Sequence, residues 1–160
     1  MTINELQRRL INEVRSVLKN MTFIDSKGRN TQLYGYPQAP DFNGLPGQDL
    51  FLTEEKDAVS PYFVVRLDKV EYRKKDADNK NLAAVVLELN VCRSDKNGFN
   101  LLTAAIEKIT GRFLSESFLE SFWCERAINI SFPKEITPSY FTGEIEMFWN
   151  LPEIETGGMI

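Results

Sequence analysis

The side chains that could do chemistry in this chain of 160 residues are few and scattered. There is no histidine, which removes the commonest general base and any Ser–His or Cys–His nucleophile pair. Cys92 and Cys124 form no CxxC motif, so a zinc site would have to complete its shell with carboxylates alone. Both thiols are expected as small, partly buried apolar residues in a reducing compartment. Carboxylates do pair, as Glu54-Glu55 and Glu144/Glu146, but the first pair reads as loop and the second as the polar face of a strand, where solvation explains them. Lys56 and Arg66 could each hold an anion, with nothing convergent around either. "NGLPG" and "TGG" lack the strand-to-helix spacing of a phosphate loop. The expectation is a chain with no catalytic residues, no cofactor and no metal.

Aromatic residues are the remaining signal. Tyr62, Tyr72, Tyr140, Phe148 and Trp149 lie on or beside strands and cannot all share one inner face. Some must reach an outer surface, and an aromatic cluster beside an apolar loop favours protein–protein contact. The expected contact set is Tyr36, Phe42, Leu50 and Phe51 from a long loop, with Tyr62, Arg66, Tyr140 and Phe148 from strands.

The elements that must position these residues centre on the stretch from Leu82 to Phe113. In "LAAVVLELNVC", Val85, Leu87, Leu89 and Val91 recur every second position, which is strand periodicity. "SDKNG" then breaks the pattern, with Asn97-Gly98 as a turn or helix cap. Phe99, Leu102, Ile106, Ile109 and Phe113 follow at helical steps of three and four. At the N-terminus, Thr2 and Glu5 have capping-box spacing ahead of Leu6, Leu10, Val14, Val17 and Leu18, predicting a helix over residues 3–19. "YFVVRLDKVEY" alternates again and should pair antiparallel with the 82–93 strand across a charged turn. "FLESFWCE" reads as a helical turn and packed corner. "AINISF", with Ile128, Ile130 and Phe132 inward, leads to a final strand, "YFTGEIEMFWN", in which Phe141, Gly143, Ile145, Met147 and Trp149 share a face.

These elements predict an α+β domain: one antiparallel sheet of about four strands with two main helices packed on one face. Residues 25–60 show no sustained period and read as a long irregular loop or arm, with room for a short hairpin inside it, and 153–160 as a mobile tail. The whole chain, 1–160, reads as one domain. A net charge of −4 disfavours a non-specific nucleic-acid binder, and no apolar run is long enough to span a membrane.

Three stretches carry a resemblance: "SPYFVVRL" entering a hairpin, "GFNLLTAAIEKITGRFL" as a helix with a Gly-aromatic start, and "PSYFTGEIEMFWNLPE" near the C-terminus. Together, from about Pro61 to Glu153, they resemble tail-terminator-like proteins of bacteriophages and prophages, on order and spacing rather than any single motif. Its strongest element is Tyr140-Phe141-Thr142-Gly143-Glu144 followed by Trp149-Asn150-Leu151-Pro152. The resemblance implies a non-enzymatic virion-assembly protein, a homo-oligomeric and usually hexameric ring that caps the head-proximal end of the tail tube and stops its polymerisation. Its partners would be tail tube protein and a head–tail connector protein, with DNA only in transit through the channel and no membrane. Its place would be the bacterial cytoplasm during assembly, then a virion or phage-tail-like particle. Two alternatives stand beside it: a head-completion or neck subunit of the same assembly, and a small-molecule-binding α+β domain with loop 25–60 as a lid.

Overall fold

A computed structural model describes residues 2–39, 59–74, 81–134 and 138–153. The tail from 154 onward and the loop residues Phe42, Leu50 and Phe51 lie outside the described residues.

Helix α1 spans Ile3–Val17, and the Thr2 hydroxyl caps it by accepting from the Glu5 amide. Its buried stripe is Leu6, Gln7, Leu10 and Val14, the i, i+4 spacing that gives a helix one apolar side. Strands β1 (Phe23–Ile24) and β2 (Asn30–Thr31) form a small separate hairpin. The Asp25 carboxylate closes its turn by accepting from the Lys27 and Arg29 amides and from Arg29 Nε. β3 (Tyr34–Pro37), β4 (Tyr62–Glu71), β5 (Asn81–Cys92), β6 (Phe118–Leu119), β7 (Phe122–Cys124), β8 (Asn129–Ser131) and β9 (Tyr140–Leu151) make the main sheet, and α2 is Gly98–Ser115.

The fold is α+β, but the main sheet has seven strands rather than about four. Its order is β3-β4-β5-β9-β7-β6, with β8 also on β9. It is not wholly antiparallel either, because β3 pairs parallel with β4, Tyr34 opposite Tyr62 and Tyr36 opposite Val64. Residues 25–39 of the expected irregular loop therefore hold β2 and β3. "FLESFWC" is no helical turn but the β6–β7 hairpin, turned at Glu120 with φ 58°.

Both helices cover the same sheet face, α1 against β3 and β4 and α2 against β5 and β9. Phe63, Val65, Val85, Leu87, Leu89, Val91, Ile145, Met147 and Trp149 point into one continuous core with Leu6, Leu10, Leu102, Ile106, Ile109 and Phe113. Close approach of α2 depends on Gly143, where a Cβ would come within 2.6 Å of Ile106 Cδ1. The entrance to α2 is shaped by Asp95, whose carboxylate accepts from the Asn97 amide, and not by the Asn97 side chain, which makes no capping bond. Ile130 and Phe132, expected inward, are exposed because β8 lies at an edge of the sheet, where Phe132 meets the half-exposed Phe99 of the first turn of α2.

Candidate interaction surfaces

The residue pattern places polar and aromatic side chains on the sheet face opposite the helices. Register aligns them in rows across three strands: Tyr62 with Asn90 and Thr142, Val64 with Glu88 and Glu144, Arg66 with Val86 and Glu146. One diagonal of this face is a row of tyrosines. Tyr36 meets Tyr62 edge-on at 6.2 Å, and Tyr62 meets Tyr140 edge-on at 5.3 Å, the geometry that sets a ring's positive edge against its neighbour's negative face. The Tyr140 hydroxyl donates to the Ser60 carbonyl at 2.9 Å.

Beside the tyrosines runs a polar ladder. Arg66 Nε donates to Asp68 Oδ1 at 2.8 Å, and the same guanidinium lies 3.9 Å from Glu88 Oε1. The other Glu88 oxygen accepts from Asn90 Nδ2 at 3.3 Å, and Asn90 Oδ1 accepts from the Thr142 hydroxyl at 2.6 Å. Each member is engaged by the next, which orders the face without aiming several groups at a common point.

Electrostatics follow from the same packing. Burial pushes the Tyr62 phenol above its ordinary range, with the Glu88 carboxylate adding to the shift. Burial does the same for Tyr140. The hydrogen bond to Asp68 holds Arg66 still more firmly protonated. Cys92, buried and donating to the Val59 carbonyl, is pushed up to about 12, mainly by burial and then by Asp25 and Asp95. Burial raises Cys124 to about 11. At neutral pH both thiols are protonated and poor nucleophiles. Among the described residues no group of three or more His, Cys, Asp or Glu could hold a metal ion, and no helix is long and apolar enough to cross a membrane. An open concavity of about 320 Å³ lies between α1 and Gln32-Leu33, where Arg15 and Lys19 contribute the charged lining.

Of the expected contact residues, Tyr36, Tyr62, Arg66, Tyr140 and Phe148 fall on this one sheet face. Tyr36 is buried there and the other four are half-buried. Val64, Val86 and Cys92 are buried on it too, so this face belongs in part to the packed interior.

Among the described residues, Tyr72 is exposed just past the end of β4, and most of the other exposed large apolar side chains sit apart from these residues, in two patches that the sequence pattern did not mark as surface. Near the start of α2, Phe99 packs on Phe132 and Phe141 at ring distances of 5.7 and 5.9 Å, with Ile130 on the same edge. The Arg93 guanidinium lies 4.5 Å from the Phe141 ring centre. Past the end of α2, Phe118 and Trp123 stack at 5.6 Å with their planes 16° apart, and the exposed Leu114 is nearby in the chain. Phe99 did show in the sequence, but as part of a helical stripe; its place in the first turn leaves half of it uncovered. Comparison with protein-family models and with curated proteins finds no match to this chain.

Proposed function

We propose that this chain is an assembly subunit of the tail-terminator kind: it forms a ring on the head-proximal end of a phage or prophage tail tube, stops polymerisation and joins tail to head. One observation carries the reading. The exposed Phe99, Ile130 and Phe132 gather into one patch and Phe118 and Trp123 into another, and grouped aromatic surface marks places where protein meets protein. The resemblance of residues 61–153 to tail-terminator-like proteins says which assembly.

The internally bonded ladder Asp68–Arg66–Glu88–Asn90–Thr142 supports the same reading, since groups committed to one another stiffen a surface but do not poise an acid or base for reaction. Acidic side chains Glu88, Glu144 and Glu146 on that face would also let DNA pass a channel without adhering.

The test is co-assembly. Incubated with polymerised tail-tube protein, the chain should cap one end of each tube, visible by negative-stain microscopy, and should halt elongation at substoichiometric amounts. Binding to capsids but not to tubes would instead make it a neck subunit. Failure to bind either would end the assembly reading.

A further inference from the structure

The two exposed patches differ in place and in charge. Patch one, Phe99, Ile130 and Phe132, lies on the helix-bearing side: Ile130 stands opposite the inward-facing Ile145, and Phe132 approaches Gly143 from that side. Patch two, Phe118 and Trp123, faces the other way, because Trp123 stands opposite Asn150, whose neighbour Trp149 points into the core. The 18 residues of α2 separate them, about 27 Å at 1.5 Å per residue. Each patch also borders the same flank of β9, with β8 along its first half and β7 along its second.

Charge distinguishes them as well. Patch one is flanked by the exposed Lys96 and Lys134 and by Arg93, while the nearby Asp95 is buried. Patch two is flanked by the exposed Glu116 and Glu120, with Glu125 beside Trp123. The cations near it are committed: Arg112 binds Glu13 and the carbonyls of Glu116 and Phe118, and Arg9 pairs with Glu120 at 3.1 Å. Arg126 lies in the link between β7 and β8.

The geometry points to a second copy of this chain as the occupant: the Phe99/Ile130/Phe132 patch of one subunit seats on the Phe118/Trp123 patch of the next. A twofold dimer would set each patch against itself, and among the described residues the exposed side chains Lys96 and Lys134 flank patch one while Glu116 and Glu120 flank patch two. Joining unlike patches brings aromatic surface onto aromatic surface and Lys96 and Lys134 toward Glu116, with Glu120 shared between Arg9 and the incoming lysines. Such a head-to-tail contact leaves one free patch at each end of any pair, so it propagates, and it gives a ring where the rotation between neighbours closes. This deepens the assembly reading by naming which surfaces make the ring, and it rests on that reading for its premise of self-association.

The experiment uses the full chain and two variants, Phe99→Asp/Phe132→Asp and Phe118→Asp/Trp123→Asp, with circular dichroism and melting curves to confirm that each is folded. All four rings are well exposed, so the fold should survive; Lys134→Glu and Glu116→Lys provide milder versions. By multi-angle light scattering across a concentration series, the unaltered chain should form closed oligomers. Each variant alone should be monomeric, its self-association weakened by at least about thirtyfold, as for loss of a central interface anchor. An equimolar mixture of the two variants should give dimers and nothing larger, because only one intact pair of patches remains. Glu116→Lys combined with Lys134→Glu in one chain should recover what either change loses.

Oligomers unaffected by the variants, dimers formed by either variant alone, or a chain that stays monomeric at every concentration, with and without tubes, would overturn the proposal. Rings that form through these patches yet ignore tail tubes would leave it standing and remove the tail-terminator reading. Tube caps assembled equally well by both variants would do the reverse.

Discussion

Two Phe–Trp pairs sit at the same end of α2 and behave oppositely. Phe113 and Trp149 meet edge to face at 5.4 Å and 86°, both fully buried. Phe118 and Trp123 stack at 5.6 Å and 16°, with Phe118 62% and Trp123 41% exposed. The chemistry of the rings is the same, so the difference comes from what surrounds them. Trp149 on β9 is roofed by α2, whereas the β6–β7 hairpin turns Trp123 to the sheet face opposite α1 and α2. The first pair stabilises the subunit; the second remains available to something outside it.

The sharpest way to break this contrast is Trp149→Ala. Removing a fully buried indole leaves a cavity under α2, and the loss should be about 3–5 kcal/mol, read from urea unfolding midpoints. A loss below about 0.5 kcal/mol would place that ring on a surface and dissolve the distinction.

Alkaline titration probes the buried side in a second way. Folding raises the Cys92 and Cys124 pKa values from about 9 to about 12 and about 11. Well below pH 9 the thiols are protonated in both the folded and unfolded chains, so their contribution to stability is complete. As pH climbs past 9 the unfolded chain gives up its thiol protons first, and stability falls until the folded thiols ionise too. Unfolding midpoints should therefore drop between pH 9 and 11. Replacing Cys92 with Ala should make that slope shallower, since Tyr62 and Tyr140, also raised by burial, would remain. An unchanged slope would mean the Cys92 thiol is open to water in the folded protein.

What could be read in advance divides along the same line. Local signals were legible: the Thr2–Glu5 cap, the helical steps from Leu102 to Phe113, and the alternation in β4, β5 and β9. Non-local or unmarked features were not. β3 is four residues, "YGYP", with a proline and a glycine, and it earns its place by pairing parallel with β4 more than twenty residues later. Its Gly35 faces the Phe63 ring, which leaves no room for a Cβ, a constraint that no sequence period expresses. The β6–β7 turn lacks Gly or Asn and instead puts Glu120 in the left-handed region, so nothing in "FLESFWC" advertised a hairpin. Missing that hairpin meant missing the exposed Phe118–Trp123 stack. The tyrosines and Arg66 were traceable to one face because alternation fixes facing; how deeply each would be buried depends on neighbours that alternation does not name.

The outer sheet face lies between the two extremes, half-packed and internally bonded, and Thr142→Val measures where. The change keeps the shape but removes the donor to Asn90 Oδ1, a buried amide whose other end is bound to Glu88. The expected cost is about 1–2 kcal/mol, the penalty for leaving a buried acceptor unmet. A cost near zero would mean water replaces the hydroxyl and the face is wetter than its burial suggests.

The smallest expected effect is the most discriminating. Phe118→Ser removes one ring of the exposed stack, and because most of that ring already faces water, little apolar surface returns to solvent on unfolding. Part of the aromatic contact with Trp123 is lost, so the subunit should lose no more than about 1 kcal/mol when melted as a dilute monomer. Set beside Trp149→Ala, this gives the same residue classes, at the same end of the same helix, with stability effects differing several-fold. A loss of 3 kcal/mol or more would show that Phe118 supports the subunit itself, and the hairpin would then be a buttress for α2 with no surface to spare for a neighbour.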